Sequence, residues 1–449
     1  MSLADIVFGA VVPLASVWSM ASRPSLALLR GMNVCPPPVN LLAAKEDLTG
    51  RVIIVTGANT GIGKRTAYNL ARMGAKVVMA CRSLERGEKA RQELEEEMRE
   101  SPSTSSGTAD APGGKHGTLE VMKCDLGELE SVRAFAREFQ AEHGSQLDVL
   151  VNNAGVGITD GCQLTADGLD VVFGVNFIGH FELTMKLMPL IQATPASRCE
   201  KGRMQIPSRG QHRFMEYSAH SLSEETMFVA LLSNQVPSAL ASIESSLTVL
   251  QFSSKTGIPR VDSGDIASVV CLSSVIHHMG CSDWNSSAFG HPNRRGSTYA
   301  DSKLAMVLFA KELRRRFAAS GSSATAFSVN PGAVRSDIWR HVPKFVMPVF
   351  DFFMRLLFIN TEQGCCTSVC ASSWPLERLS GNDYYQPYWM PFDWPFLCEY
   401  IGPFVGCAPG KPTLMHDDPI SSSEFWTACN RIVEAADALR GDVRGAARG

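Results

Sequence analysis

A glycine-rich loop between a β-branched strand and a helix constrains the fold more than any other feature of this chain. Residues 51–56 read RVIIVT, and the loop GANTGIGK follows, with glycines at Gly57, Gly61 and Gly63. Small residues at such a turn let the backbone approach a pyrophosphate, and the N-terminus of the next helix supplies N–H groups and a positive dipole. The sequence therefore predicts the dinucleotide-binding end of a Rossmann-type sheet.

Strand and helix patterns alternate on both sides of this loop. Short apolar runs predict buried parallel strands, and longer segments predict the helices that connect them. We expect strands over residues 51–56, 76–80, 119–123, 147–151, 266–272 and 324–329. We expect helices over residues 62–73, 84–99, 129–143, about 168–191, 298–319 and 361–373. Units of this spacing predict an α/β fold, a single doubly wound parallel sheet with helices on both faces.

Length and composition limit the domain organisation and the class of partner. The 449 residues suffice for one large domain with insertions or for two domains. We expect one Rossmann-type domain over residues 46–440, with insertions at about 100–117, 194–263 and 388–412. The net charge of −3 and the lack of a basic stripe argue against nucleic acid as a partner.

The 13 cysteines contain no CxxC pair, which argues against a zinc ribbon or a disulfide scaffold, and no metal site is expected. Cys365, Cys366 and Cys370 cluster, and we interpret them as buried thiols on a helix in preference to a redox or acylation site.

The N-terminal segment predicts contact with a membrane. Residues 6–22 carry no charge, and Arg23 and Arg30 follow. The run is slightly short for a spanning helix, which needs about 20 apolar residues. Three interpretations remain open for residues 1–45: a signal anchor or interfacial hairpin with the arginines on the cytosolic side, a cleaved targeting peptide, and a helix packed on the protein's own surface. A second apolar stretch at 344–358 is either core or a membrane-facing mouth for a lipid-like substrate.

Tyr299 and Lys303 are the main candidates for proton transfer. A phenol has a pKa of about 10 and exchanges protons poorly at neutral pH. A lysine four residues later lies on the same face of a helix, and its ammonium favours the phenolate, which lowers the pKa of the tyrosine. Ser274 follows an apolar strand and is a candidate hydrogen-bond donor to a carbonyl, with Ser273 as its competitor. Asn176 sits within a helix, where an amide is unfavourable unless it is used, for example to hold a water.

The second strand ends in Met79-Ala-Cys-Arg-Ser83, without the acid that NAD sites place there. Arg82 is suited to a 2′-phosphate, and Lys64 is a candidate second cation, so we expect NADP(H) as the cofactor. Asp125, followed by Leu126, is a candidate acceptor for the adenine amino group, a helix N-cap, or both. Asn153, in the run Asn152–Gly155 that closes the fourth strand, is interpreted as structural and close to the cofactor.

These residues together resemble the short-chain dehydrogenase/reductase family. TGxxxGxG, NNAG, the helical Asn176, Ser274, the YxxxK of Tyr299 and Lys303, and NPG occur in family order. The sequence motifs most resemble those of the retinol dehydrogenase branch: GANTGIGK, ACRS, LDVLVNNAG, VNFIGHFELT, ADSKLAMVLFAKELRRRF and NPGAVRSDIWRH. The resemblance covers roughly residues 31–193 and 264–386, and Ser336 stands where the family commonly has threonine. The blocks at 194–263 and 388–412 are not typical of the branch.

The resemblance implies a catalytic tetrad of Asn176, Ser274, Tyr299 and Lys303. It implies that Tyr299 is the general acid or base, that Ser274 polarises the carbonyl, that Lys303 holds the nicotinamide ribose, and that Asn176 fixes a water. The residues implied for the NADP(H) site are Gly57, Asn59, Thr60, Gly61, Ile62, Gly63, Lys64, Arg82, Asp125, Leu126, Asn153, Ala154, Gly155, Tyr299, Lys303, Pro331, Gly332 and Val334.

The expected activity is carbonyl/alcohol interconversion on a lipophilic substrate that is retinal-like, steroid-like or a fatty aldehyde. The expected location is a membrane surface, the endoplasmic reticulum or a lipid droplet, with the catalytic domain in the cytosol and a possible homodimer. Three alternatives remain: an enzyme similar to light-dependent protochlorophyllide reductases, a non-catalytic NADPH-binding sensor or scaffold, and a membrane-tethering module built on the insertion, which is compatible with activity.

Overall fold

The computed structural model describes residues 46–100, 116–157, 163–203, 266–280, 298–335, 359–376, 378–379, 382–387, 407–410, 412 and 419–446. The chain divides into two compact units, residues 1–199 with 263–449, and residues 200–262. Several expectations lie outside the described residues: the N-terminal segment, the apolar stretch at 344–358, Ser336, and most of the three insertions. No helix within the described ranges is both long and apolar enough to cross a membrane.

An eight-stranded sheet in the order β3-β2-β1-β4-β5-β6-β7-β8 is the centre of the first unit. The first seven strands are parallel, and β8 pairs antiparallel with β7. The strands are β1 Val52–Thr56, β2 Lys76–Cys81, β3 Thr118–Lys123, β4 Val149–Asn152, β5 Ser268–Leu272, β6 Thr325–Val329, β7 Tyr384–Gln386 and β8 Ala408–Pro409. The order reverses between β1 and β4, which creates a crevice at the carboxyl ends of these strands.

The helices connect the strands and cover the sheet. They are α1 Gly61–Arg72, α2 Leu84–Glu100, α3 Leu129–His143, α4 Gly179–Arg203, α5 Thr298–Ala319, α6 Thr361–Gly364, α7 Cys366–Ser373 and α8 Pro419–Ala446. Side chains of β1 alternate between two buried clusters: Ile54 packs with α3, α4, α5 and α8, while Ile53 and Val55 pack with α1, α2 and α7. Strands buried on both faces form from apolar runs, so the predicted doubly wound α/β fold is confirmed.

The long helix expected at about 168–191 differs from the prediction. A one-turn helix at Val171–Phe173 begins after Asp170, whose carboxylate accepts the N–H groups of Val172 and Phe173 at 2.9 Å each. A π-helical turn at Gly174–Ile178 follows, and α4 then continues to Arg203. The prediction was wrong at both ends, because side-chain capping by Asp170 fixes the start and because the helix continues through the mostly polar residues 192–203. π-helical turns inside helices occur frequently at functional sites.

The C-terminal helix α8 completes one face of the core. Phe425 lies 5.4 Å from Phe177, and Trp426 lies 5.2 Å from Phe181 and 5.8 Å from Phe309, measured between ring centroids. The guanidinium of Arg316 stacks 4.0 Å over Trp426. These aromatic contacts attach α8 to α5, the helix that carries Tyr299, although the contacting residues are more than 100 positions apart in sequence.

The cysteines of α6 and α7 are buried, as expected. Cys365, Cys366 and Cys370 are at most 1% exposed, and the Sγ atoms of Cys366 and Cys370 are 3.9 Å apart. Burial raises the pKa of the Cys365 and Cys370 thiols. They are therefore protonated at neutral pH and pack as small apolar groups.

Candidate active site

The glycine loop after β1 has the shape of a cradle that side chains would fill. Gly57 and Gly61 have positive φ values of +64° and +58°, which favour glycine. A Cβ on Gly57 would lie 2.9 Å from Cβ of Ala154, and one on Gly63 would overlap the side chain of Asn153. Thr60 precedes α1 without a side-chain hydrogen bond to the N–H groups of the first turn. A narrow backbone loop beside a helix N-terminus without a side-chain cap fits a pyrophosphate.

Thr56 ties this loop to the end of β4. Its Oγ1 accepts the N–H groups of Asn153 at 2.8 Å and Ala154 at 2.9 Å. In return, Nδ2 of Asn153 donates to the Thr56 carbonyl at 2.7 Å. The side chain of Asn153 thus fastens two neighbouring strands together, which agrees with its interpretation as structural.

His180 is a buried residue of this network that the sequence reasoning missed. Its Nδ1 lies 2.9 Å from the Asn176 carbonyl, which only accepts, so this nitrogen carries the proton. Its Nε2 then accepts from the Thr56 hydroxyl at 2.8 Å. Burial lowers the pKa of His180 to about 4, so the ring is neutral at physiological pH. Asn176, His180 and Thr184 follow one another at helical spacing, and this polar stripe on an apolar segment was the available signal.

Asn176 lies in the π-helical turn, and its amide holds the loop that follows Gly155. Its Oδ1 accepts from the Val156 N–H at 2.7 Å, and its Nδ2 donates to the Val156 carbonyl at 3.0 Å. The same Nδ2 lies 3.1 Å from Oγ of Ser302, which sits between Tyr299 and Lys303 on α5. The amide thus connects the end of β4 to the helix that carries the proton-transfer residues. The water-fixing role stays a prediction.

Tyr299 and Ser274 come together at the carboxyl end of the sheet. The hydroxyl of Ser274 hydrogen-bonds with the phenol of Tyr299, although 25 residues separate them in sequence. Ser274 also caps the short 3₁₀ turn at 275–279 by accepting from the Ile276 N–H. The competing Ser273 is 1% exposed and donates to the Lys303 carbonyl at 2.8 Å. Of the two serines, Ser274 is therefore the one whose side chain lies beside the phenol of Tyr299.

Lys303 follows Tyr299 by one helical turn, but its effect on the phenol differs from the expectation. Its Nζ donates to the Leu272 carbonyl at 3.0 Å and lies 5.6 Å from the centroid of the Tyr299 ring. Burial raises the pKa of Tyr299 to about 12, and the hydrogen bond from Ser274 offsets only part of this rise. Burial also lowers the pKa of Lys303 to about 8. The expected lowering of the phenol pKa by Lys303 was wrong for the protein alone, because desolvation is the largest influence on Tyr299 and the partly opposing influence is the hydrogen bond with Ser274.

The residues expected around the adenosine ribose divide into an exposed arginine and a paired lysine. Arg82 is exposed at the end of β2, and its guanidinium has no ion pair or hydrogen bond with another described residue. Lys64 instead forms an ion pair with Glu93 of α2, since α1 and α2 lie side by side. Glu93 therefore partly neutralises the charge of Lys64, which makes Lys64 weaker as a second cation.

Asp125 lies at the end of β3 next to the buried Leu126. Its Oδ1 accepts from the Gly127 N–H at 2.9 Å, which closes a local turn. The alternative role as the cap of α3 was wrong, because the Leu129 N–H donates to Asp167, 2.9 Å away. A Cβ on Gly179 would overlap the Leu126 carbonyl, so Gly179 lets α4 approach this turn closely.

The loop after β6 holds Pro331, Gly332 and Val334 near the same edge. Gly332 has a φ of +82°, and its N–H donates to Oδ1 of Asn330 at 3.0 Å. Val334 forms an isolated parallel bridge with Ile359. These bonds bring the expected loop to the carboxyl end of the sheet, where ligands of open α/β sheets bind.

Comparison with known proteins identifies the fold and the family. The family model of short chain dehydrogenases matches residues 51–199. The crystal structure of an uncharacterized protein from Mycobacterium Paratuberculosis superposes with a TM-score of 0.53 at 22% identity, covering 89% of this chain and 98% of that one. This likeness supports the Rossmann-type fold.

Curated relatives match over most of their length. Human retinol dehydrogenase 11 is 30% identical over 385 residues, covering 85% of this chain and 89% of the relative. Human retinol dehydrogenase 12 is 32% identical over 339 residues, covering 75% and 78%. Bovine dehydrogenase/reductase SDR family member 13 is 31% identical over 354 residues, covering 77% and 68%. The chain therefore belongs to the short-chain dehydrogenase/reductase family of oxidoreductases, in its retinol dehydrogenase-like branch.

Proposed function

We propose that the chain is an NADP(H)-dependent oxidoreductase that interconverts a carbonyl and an alcohol on a lipophilic substrate, with Tyr299 as the general acid and base. The observation that carries this proposal is the meeting of Tyr299, Ser274 and Lys303 at the carboxyl end of the sheet. Ser274 hydrogen-bonds with the phenol, and Lys303 lies one turn further along α5. A proton donor beside a second hydroxyl donor suits a substrate oxygen that gains negative charge.

The cofactor site is supported by the narrow loop of Gly57, Gly61 and Gly63 and by the start of α1, where Thr60 makes no side-chain hydrogen bond to the N–H groups of the first turn. A bound nicotinamide dinucleotide supplies the hydride for reduction or accepts it in oxidation. Lys303 has three donors, of which one is directed to the Leu272 carbonyl, so two remain for the ribose hydroxyls. Gly155 is exposed beside Asn176 and Lys303, which leaves room for the ring side of the cofactor.

The chain's own residues then move one proton. In reduction, the phenol of Tyr299 gives its proton to the carbonyl oxygen, and the Ser274 hydroxyl donates a hydrogen bond to the same oxygen. The phenolate that remains is stabilised by the nearby ammonium of Lys303 and by Ser274. At neutral pH the phenol is fully protonated, because its pKa is about 12. The protein alone is thus prepared for the direction in which Tyr299 donates.

Cofactor choice is proposed to depend on Arg82. Its guanidinium is exposed at the carboxyl end of β2, where the ribose of a dinucleotide is expected, and no carboxylate precedes Glu85 there. A planar guanidinium binds a phosphate through charge-assisted hydrogen bonds. The Lys64–Glu93 pair makes Lys64 a weaker contributor than Arg82.

The substrate and location are proposed from the relatives and from the sequence. Two relatives are named retinol dehydrogenases, and an uncharged run at residues 6–22 precedes the folded domain. An apolar substrate partitions into membranes, so an enzyme attached to a membrane surface meets it at a higher concentration. We propose attachment to the cytosolic face of the endoplasmic reticulum or of lipid droplets. Formation of a homodimer remains a prediction, which size-exclusion chromatography would test.

Activity assays of the purified full-length protein with a panel of carbonyl substrates test this function. Retinal-like, steroid and long-chain aldehydes, with short water-soluble aldehydes as controls, should be compared with NADPH and NADH. The proposal expects the highest kcat/KM with a lipophilic carbonyl and NADPH. Activity restricted to the short aldehydes contradicts the substrate class, and a preference for NADH contradicts the role of Arg82.

A further inference from the structure

A group of three possible metal ligands lies at the edge strand β3, away from the carboxyl-end crevice. Glu120 is in the middle of β3, and Glu142 and His143 form the last turn of α3. One carboxylate oxygen from each glutamate and one ring nitrogen of His143 all lie within 4.8 Å of one another. Acidic clusters alone are common at protein surfaces. The burial and the hydrogen bonding of His143 therefore decide whether these three residues can bind a metal ion.

The imidazole of His143 is buried and lacks a hydrogen-bond partner for one nitrogen. Its side chain is 3% exposed, and its ring stacks on Phe139 at a centroid distance of 4.5 Å. Nε2 has no hydrogen-bond partner among the described residues, and its nearest carboxylate oxygen is Oε1 of Glu120 at 3.5 Å. A buried polar atom without a partner costs free energy, so a ligand that coordinates Nε2 would stabilise this arrangement.

The charges around the cluster also favour a cation. The side chains of Glu120 and Glu142 interact directly, and two carboxyl groups beside one ring nitrogen would attract a cation placed between them. Lys76 binds Oε2 of Glu120 at 3.0 Å, which leaves Oε1 directed at His143. A carboxylate whose second oxygen is held by a neighbour is oriented in the way that metal ligands commonly are.

We propose that Glu120, Glu142 and His143 form a binding site for Zn²⁺, with water in the remaining positions. Nitrogen and carboxylate oxygen ligands suit Zn²⁺, whereas Mg²⁺ and Ca²⁺ prefer oxygen alone. Bonds of about 2.0–2.2 Å place tetrahedral ligands roughly 3.4 Å apart, so ligand atoms that now lie up to 4.8 Å apart must approach by up to about 1.4 Å. The exposed side chain of Glu142 provides this movement. The ion would join β3 to α3 and stabilise the edge of the sheet.

Zinc titration of the full-length protein tests the site, with Glu142→Gln and His143→Ala as variants. Glu138→Gln is the matched control, because Glu138 is exposed on the same helix one turn earlier. We expect one zinc equivalent to bind wild type and the control, and to raise their Tm. Both cluster variants should lose this equivalent, with affinity reduced by at least about tenfold, and their Tm should no longer respond to zinc.

Co²⁺ distinguishes this site from the thiols of the chain. Cobalt bound by nitrogen and oxygen gives no thiolate charge-transfer band, whereas cobalt bound by cysteines does. The proposal expects a cobalt spectrum without that band, lost in Glu142→Gln. Equal zinc binding in wild type and Glu142→Gln, or a spectrum that contains only the thiolate band, overturns the proposal. If His143→Ala fails to fold, Glu142→Gln decides alone, since this exposed side chain is not needed for packing.

Discussion

Lys303 Nζ lies 5.6 Å from the centroid of the Tyr299 ring and donates to the carbonyl of Leu272 at 3.0 Å. The ammonium is therefore fixed by the end of β5, and Tyr299 lies on the preceding turn of α5. Burial lowers the pKa of Lys303 to about 8 and raises the pKa of Tyr299 to about 12. Burial thus favours the neutral form of both side chains, and it separates two pKa values that are nearly equal in the isolated groups.

These pKa values predict the pH dependence of carbonyl reduction. Below about pH 8, Lys303 carries its charge and Tyr299 its proton, so the proposed acid and its stabilising cation are both present. Above pH 8 the ammonium is lost first, and kcat/KM for reduction should fall. A series of rates from pH 6 to about 10 in buffers of constant ionic strength measures this. A profile that stays flat through pH 9 is inconsistent with a required Lys303 ammonium.

Arg82→Ser should weaken NADPH binding and leave NADH binding nearly unchanged. Loss of a charge-assisted hydrogen bond to a phosphate costs about 1.5–3 kcal/mol, or roughly 10- to 150-fold in Kd. Arg86→Ser is the matched control, since Arg86 is also exposed and lies four residues later. Fluorescence titration of both variants with both cofactors provides the comparison. Equal losses of NADPH affinity in the two variants would mean that the effect comes from the loss of positive charge in general and not from a specific contact of Arg82.

His180 should make the fold sensitive to acid. Its pKa in the fold is about 4, below the usual 6.5, so its neutral form is favoured on folding. The stability from this neutral form is complete above pH 6.5 and is lost as the pH falls towards 4, by about 3 kcal/mol in total. Urea unfolding of wild type and His180→Gln at pH 7 and pH 4.5 tests this. The variant should be less stable at pH 7 but lose less stability on acidification.

Trp426→Ala should destabilise the protein without altering cofactor affinity directly. Trp426 is 6% exposed and packs on Phe181 and Phe309, so its removal leaves a cavity that costs about 3–5 kcal/mol. Leu439→Ala on the same helix is the control, because Leu439 is 56% exposed. Thermal unfolding should separate the two variants clearly. Similar Tm values for both would mean that α8 does not contribute to the core.

The local pattern predicted the elements that build the sheet, from β1 to β6, because their apolar runs and turn glycines are local signals. It did not predict β7 and β8, whose pairing depends on distant contacts. The Ser328 N–H donates to the Asp383 carbonyl and the Asn330 N–H to the Tyr385 carbonyl, at 2.8 Å each. A three-residue strand is too short to show a periodicity that would predict this pairing. Short strands defined by partners far along the chain are the hardest to read from sequence.

The candidate site was predictable as a set of residues but not as a set of interactions. Motif spacing placed Tyr299 and Lys303 on one helix face, whereas their pKa values depend on burial, which spacing does not report. The pairing of Lys64 with Glu93 depends on the packing of α1 on α2. The role of His180 depends on Thr56, 124 residues earlier in the chain. Such contacts become visible only when the elements are assembled.

The most direct test of the central claim is the turnover of Tyr299→Phe with NADPH and the best carbonyl substrate of the panel. This change removes one hydroxyl and keeps the ring, so folding and the Kd for NADPH should stay close to wild type. We expect a fall in kcat of about 10²- to 10⁴-fold, the usual contribution of a general acid. A variant that binds NADPH normally and reduces the substrate at the wild-type rate would show that Tyr299 is not the general acid.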